Sequence, residues 1–162
     1  MQPALVEDFE GLPEVTFSDG QTVYVEGERH GDLLVLLEGT VRVSAKGAEI
    51  SIISSPGALF GEVAMLLDAP ATATVTAIGE CRFLRAEDPF ALLRLRPQVA
   101  LGIAVTLARR LDLITRYLAD LRNQYADSND HLAVVDTVLE SLLHQQGTDV
   151  EPGSDREAEA PY

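Results

Sequence analysis

The residues best suited to chemistry in this chain are Gly61 and Glu62. They follow Ser55-Pro56-Gly57-Ala58 and open the run Val63-Ala64-Met65-Leu66-Leu67, which is rich in helix formers and lacks strand alternation. That pattern predicts a short helix inserted between strands, beginning near Gly61. Backbone N–H groups at a helix start lack intrahelical partners and favour an anion. A carboxylate beside them accepts hydrogen bonds from sugar hydroxyls. Together the two residues could hold a ribose carrying a phosphate. The plainer alternative is that Glu62 only stabilises the dipole of its own helix.

No other grouping offers comparable chemistry. His30, His131 and His144 are isolated along the chain, which argues against a metal site. Cys81 is the single cysteine, so no internal disulfide can form, and its place in a strand suits buried packing. There is no Gly-x-Ser-x-Gly elbow, P-loop lysine or His-Glu-x-x-His. Catalysis has no candidate apparatus, and an enzyme is not expected.

The chain has 162 residues, 12 Lys plus Arg against 26 Asp plus Glu, and a formal charge of −14. One ordinary domain fits that length, and 46% apolar residues suffice for a core. The charge is unevenly spread. Residues 1–14 carry four acids and no base, and residues 15–88 carry eleven acids and five bases. Residues 89–125 reverse the balance with two acids and six arginines, before residues 126–162 return to nine acids and one base. So acidic a C-terminus opposes direct DNA binding, which needs cations against phosphates. No stretch approaches the ~20 apolar residues of a membrane span, and the acidic start is unlike a signal peptide. The composition points to a reduced, cytoplasmic setting.

The elements that must position Gly61 and Glu62 are short strands. Val15 to Phe17, the alternating run 22–26, the continuous apolar run 33–37, and Val41 with Val43 and Ala45 read as strands separated by glycine turns. So do 50–53, 72–77 and 81–85. Gly39 and Gly79 are taken as breaks, giving seven or so strands and an antiparallel sandwich or jelly roll. After Asp88-Pro89 the period becomes helical. Phe90, Leu92, Leu93 and Leu95 form a short helix ending before Pro97, which opens a long helix to about Tyr125. Within that helix Leu107, Leu111, Ile114, Leu118, Leu121 and Tyr125 step by 4, 3, 4, 3, 4, a heptad seam. Residues 131–144 read as another amphipathic helix, and 147–162 as a disordered acidic tail.

In order, Glu26-Gly27-Glu28, Leu36-Leu37-Glu38-Gly39 with Val41 and Val43, Pro56-Gly57-Ala58-Leu59-Phe60-Gly61-Glu62, and Ala71-Thr72-Ala73-Thr74-Val75 make a specific series. With Ala108-Arg109-Arg110-Leu111 on the long helix, residues 15–125 resemble the cyclic-nucleotide-binding domain family, of the kind found in the catabolite activator protein and the regulatory subunit of cyclic-AMP-dependent protein kinase. The resemblance implies an antiparallel β-roll with a short inserted helix, then a long dimerisation helix and a further amphipathic helix. It implies that Gly61 offers backbone to a cyclic nucleotide, that Glu62 accepts from the ribose 2′-hydroxyl, and that Thr72 supplies a hydroxyl to the phosphate. Val63 and Ala73 flank these residues, and Thr115 matches a region that reaches the base. The family's cassette arginine, which pairs with the cyclic phosphate, is expected at Ala71. Its absence would weaken binding of cyclic AMP or cyclic GMP unless Arg82, Arg85 or Arg116 takes its place.

These readings divide the chain into an N-terminal segment (1–14), a β-roll (15–88), a hinge and long helix (89–125), a C-terminal helix (126–146) and the tail (147–162). The expected protein is a homodimer joined along the seam, with an unknown protein partner. It either senses a nucleotide-type ligand or serves as a ligand-independent interaction module of the same fold.

Overall fold

The computed structural model describes residues 3–124 and 132–144. The chain divides into two compact units, Met1–Thr106 and Leu107–Tyr162.

The first unit holds α1 (Pro3–Asp8), six antiparallel strands and two further short helices. The strands are β1 (Glu14–Phe17), β2 (Thr22–Tyr24), β3 (Leu33–Ala45), β4 (Ala48–Ile53), β5 (Leu59–Phe60) and β6 (Thr74–Ala86). The inserted helix α2 (Glu62–Leu67) lies between β5 and β6, and α3 (Pro89–Leu95) follows β6. The sheet path runs β1-β6-β3-β4, with β2 also on β6 and β5 also on β3. This is an antiparallel β-roll followed by helices.

Two strands of 13 residues replace four of the expected short ones. Gly39 and Gly79 lie inside β3 and β6 and do not end them. The β3–β6 register shifts on both sides of Glu38, where Gly39 takes φ +110°. A Cβ at Gly39 would stand 2.6 Å from the Glu80 carbonyl oxygen and 2.8 Å from the Cys81 Cα. The glycine lets two backbones press together at a kink, and the ladder continues through it. True turns occur elsewhere. Lys46 and Gly47, both at positive φ, form the two-residue hairpin between β3 and β4 that right-handed strand twist favours.

The core follows the hydrophobic pattern. Leu33 to Leu36 are all buried, as a continuous apolar run demands, while β6 buries Val75 and Ala77 and turns Thr74 and Thr76 outward. Phe83 anchors the cluster, meeting the rings of Phe17 and Phe60 edge-on at 5.6 and 5.9 Å. Cys81 is fully buried, its Sγ 3.0 Å from the Thr40 carbonyl oxygen. Outside, Arg82 bridges Glu14 and Glu38 at 2.6 and 3.0 Å and holds the Glu14 carboxyl below its usual titration range.

Neither α1 nor β5 is foreseen from the sequence. The turn after α1 buries Phe9 completely, and Arg96 donates to the carbonyls of Asp8 and Glu10 at 2.7 and 2.9 Å. At the entry to α3 the Asp88 side chain accepts from the Ala91 N–H at 2.9 Å, with Pro89 in the first turn. The helix α4 (Pro97–Gln124) then begins, and Val99 and Ile103 are buried. In the second unit are the rest of α4, with an i,i+4 pair of Asp112 and Arg116 at 3.0 Å, and α5 (Leu132–His144), where Leu139 is buried. Tyr125, His131 and the tail at 147–162 lie outside the described residues. Among the described residues no single helix is long and apolar enough to cross a membrane.

Candidate functional site

The site begins with a glycine that nothing else can replace without strain. Gly61 caps α2 at φ +91°, and a Cβ there would lie 2.7 Å from the Asp32 carbonyl oxygen and 2.8 Å from the Tyr24 hydroxyl. Tyr24, on β2, is buried, and its Oη lies 3.2 Å from both the main-chain oxygen and Oδ1 of Asp32. Asp32 Oδ2 in turn accepts from Arg85 Nε, on β6, at 2.7 Å. Burial, and then the negative charge of Asp32, push the Tyr24 hydroxyl far above its ordinary titration range, so it remains a neutral donor. The head of α2 thus rests on a buffer of side chains drawn from β2, β6 and the loop before β3.

Gly61→Ala is expected to cost about 1–3 kcal/mol of stability, from positive φ and local overpacking. It would also displace the head of α2. Urea unfolding reads the first effect, and loss of any ligand heat in calorimetry reads the second.

Glu62, the first residue of α2, is only 4% exposed, the one buried charged side chain among the described residues. Val63 beside it is half-buried, and the helix ends at Asp68 in a left-handed conformation, φ +48°. The return loop then reaches position 71. Ala71 donates its N–H to the Glu28 carbonyl and accepts from the Gly27 N–H, both at 2.8 Å. Just beyond, Thr74 Oγ1 accepts from the Glu26 N–H at 3.0 Å. The sequence places Thr72 in a strand, but β6 starts only at Thr74. Thr72 therefore sits exposed in a bend, because these backbone bonds commit 71 to the 26–28 loop before the ladder begins. Ala73 is half-buried.

The first unit therefore carries Gly61, Glu62 and Val63 at the head of α2 and Ala71, Thr72 and Ala73 on its return loop. Thr115 belongs to the second unit, half-buried on α4. Each arginine considered as a stand-in for position 71 already has an acidic partner: Arg82 has Glu14 and Glu38, Arg85 has Asp32, and Arg116 has Asp112. Sequence reasoning misses Tyr24 and Asp32 altogether. A cavity of about 260 Å³ lies beside them, walled by Val15, Phe17 and Leu34, and shares no residue with the positions 61–73. Among the described residues no group of three or more His, Cys, Asp or Glu could hold a metal ion.

Residues 14–90 match the family model described as the cyclic nucleotide-binding domain. The chain is 32% identical over 117 residues to the CRP-like cAMP-activated global transcriptional regulator of Mycobacterium tuberculosis, covering 68% of this chain and 52% of that one. It spans about half the length of the curated relatives it matches. In three dimensions it is similar to the N-terminal domain of a transcriptional regulator from Streptomyces coelicolor A3(2), with a TM-score of 0.52 and 32% identity over 67% of this chain and 82% of that one. It is also similar to the catabolite activator protein of Thermus thermophilus, with a TM-score of 0.60 and 27% identity over 77% of this chain and 60% of that one. The matched stretch takes in the whole roll, the inserted helix and its return loop. The chain belongs to the cyclic nucleotide-binding domain family.

Proposed function

We infer that the chain is a non-enzymatic regulatory domain that binds cyclic AMP or cyclic GMP at the head of α2 and on its return loop. It passes the state of that site to a partner protein through its C-terminal helices. One observation carries this reading: a carboxylate, Glu62, is held inside the protein directly after a glycine whose backbone tolerates no side chain. Burying a carboxylate is costly, and an apolar residue would serve the core better. Poised beside the amides at the start of α2, Glu62 suits a ribose hydroxyl as donor. Thr72, exposed in its bend, has a hydroxyl available for a phosphate oxygen. The Mycobacterium tuberculosis relative is by name activated by cAMP, which supports the choice of ligand.

The same domain is read as a homodimer. Along the α4 seam Leu111 and Ile114 are 44% and 51% exposed, and Leu107, Leu118 and Leu121 are half-buried. Apolar side chains at a heptad spacing are what a second helix covers.

A second reading keeps the fold and dimer but removes the ligand. It is favoured by Ala71, which brings no charge to the position where the family's arginine is expected, and whose main-chain groups are both engaged. Isothermal titration calorimetry with cyclic AMP and cyclic GMP separates the two readings. Micromolar binding supports the sensor. No heat at millimolar nucleotide, with binding appearing in Ala71→Arg, supports the ligand-independent module.

A further inference from the structure

The loop that stitches position 71 into place also carries an arginine. Ala71 exchanges two backbone hydrogen bonds with Gly27 and Glu28, so Arg29 is the next residue along the strand of chain that borders the return loop. Its Nη1 lies 2.9 Å from Asp68 Oδ1, and the two side chains are 64% and 98% exposed. Such a pair is worth little in water and is readily exchanged for a better anion. Asp68 is an odd residue for its position on one count. A carboxylate at the C-terminal end of a helix faces the negative end of the dipole, although φ +48° is a conformation that Asp tolerates. Its carboxylate pairs with the Arg29 guanidinium at the C-terminal end of α2. Other arginines of the roll are less suited: Arg82 is bound to Glu14 on β1 and Glu38 on β3, Arg85 to Asp32 just before β3, and Arg42 to Glu49 across the β3–β4 hairpin.

We propose that Arg29 supplies the phosphate-binding charge that position 71 lacks. The guanidinium rests on Asp68 and moves to the cyclic phosphate when nucleotide binds. This rests on the nucleotide-binding reading of the site and assigns its anion contact. A planar guanidinium can offer two parallel N–H donors to phosphate oxygens, so the geometry of recognition survives a change in where the arginine is rooted.

The test is calorimetry with cyclic AMP, with adenosine as the phosphate-free control. Arg29→Gln is expected to weaken cyclic AMP about 10- to 100-fold and to leave adenosine unchanged. Asp68→Asn keeps a residue that tolerates the left-handed backbone and frees the guanidinium. It is expected to tighten cyclic AMP about two- to fivefold in the parent chain, and to do nothing in the Arg29→Gln background. If the parent binds, Glu62→Gln weakens it and Arg29→Gln does not, the assignment is wrong and the site reading stands. If the parent is silent and only Ala71→Arg binds, Arg29 does not supply the charge. If no variant binds at millimolar nucleotide, the site reading itself fails and takes the assignment with it.

Discussion

In a chain carrying Arg29→Gln, substituting arginine at Ala71 is expected to raise affinity for cyclic AMP by about 30-fold to several thousand-fold. Losing one partner of a desolvated charge pair costs ~2–5 kcal/mol in binding, at ~1.4 kcal/mol per tenfold. Restoring it should recover the same amount. The fold should accept the change, because Ala71 is held by its main chain to Gly27 and Glu28 and its side chain is only half-buried. Neither bond depends on what the Cβ carries. In the parent chain the same substitution should give a smaller gain, reduced by whatever Arg29 already contributes. Calorimetry of the four combinations gives the coupling directly. An equal gain in both backgrounds would mean that the two arginines serve separate anions. No gain in either would move the phosphate away from the return loop.

Gly39→Ala is expected to destabilise the first unit by about 3–5 kcal/mol, combining the cost of positive φ with overpacking that has no outlet. Two of the three atoms that a Cβ would meet, the Glu80 oxygen at 2.6 Å and the Cys81 Cα at 2.8 Å, are main chain of a strand locked in the sheet. At Gly61, by contrast, one of the two closest is the tip of a tyrosine, which can give. Gly79→Ala is the control. It shares the positive φ, +72°, but a Cβ there meets nothing within 4 Å, so only the backbone cost of about 1–2 kcal/mol should appear. Urea midpoints at constant slope would rank the two variants. Equal midpoints would mean that the strand crossing is looser than these distances require.

The contrast between Gly39 and Gly79 also explains what the sequence could and could not reveal. Gly39 follows a continuous apolar run and Gly79 an alternating one, and both read as breaks. A glycine that ends a strand and one that lets two strands touch look alike until the partner strand is known, and Glu80 is 41 residues from Gly39. Local signals fare better. Asp88-Pro89 and Pro97 mark helix starts because capping and proline geometry act within one turn. Residues 33–36 are buried because nothing polar interrupts them. Gly61 and Glu62 stand out by their neighbours alone, since the chemistry of a helix head is local. Their support is not. Tyr24 reaches Asp32, and Asp32 reaches Arg85 across 53 residues, with no spacing rule to announce it. The anchoring of Phe9 is as remote, since Arg96 secures that turn from 86 and 88 residues away.

Cys81 gives the strand crossing a built-in reporter. It is the single thiol of the chain, fully buried, with its Sγ 2.8 Å from where a Gly39 Cβ would be. A thiol-reactive dye reaches it only when β3 and β6 part at the kink. The rate of labelling in native buffer therefore clocks how often the middle of the roll opens, with no engineered probe and no denaturant. Adding nucleotide to the same reaction would tell whether occupancy at the head of α2 is felt at the β3–β6 kink.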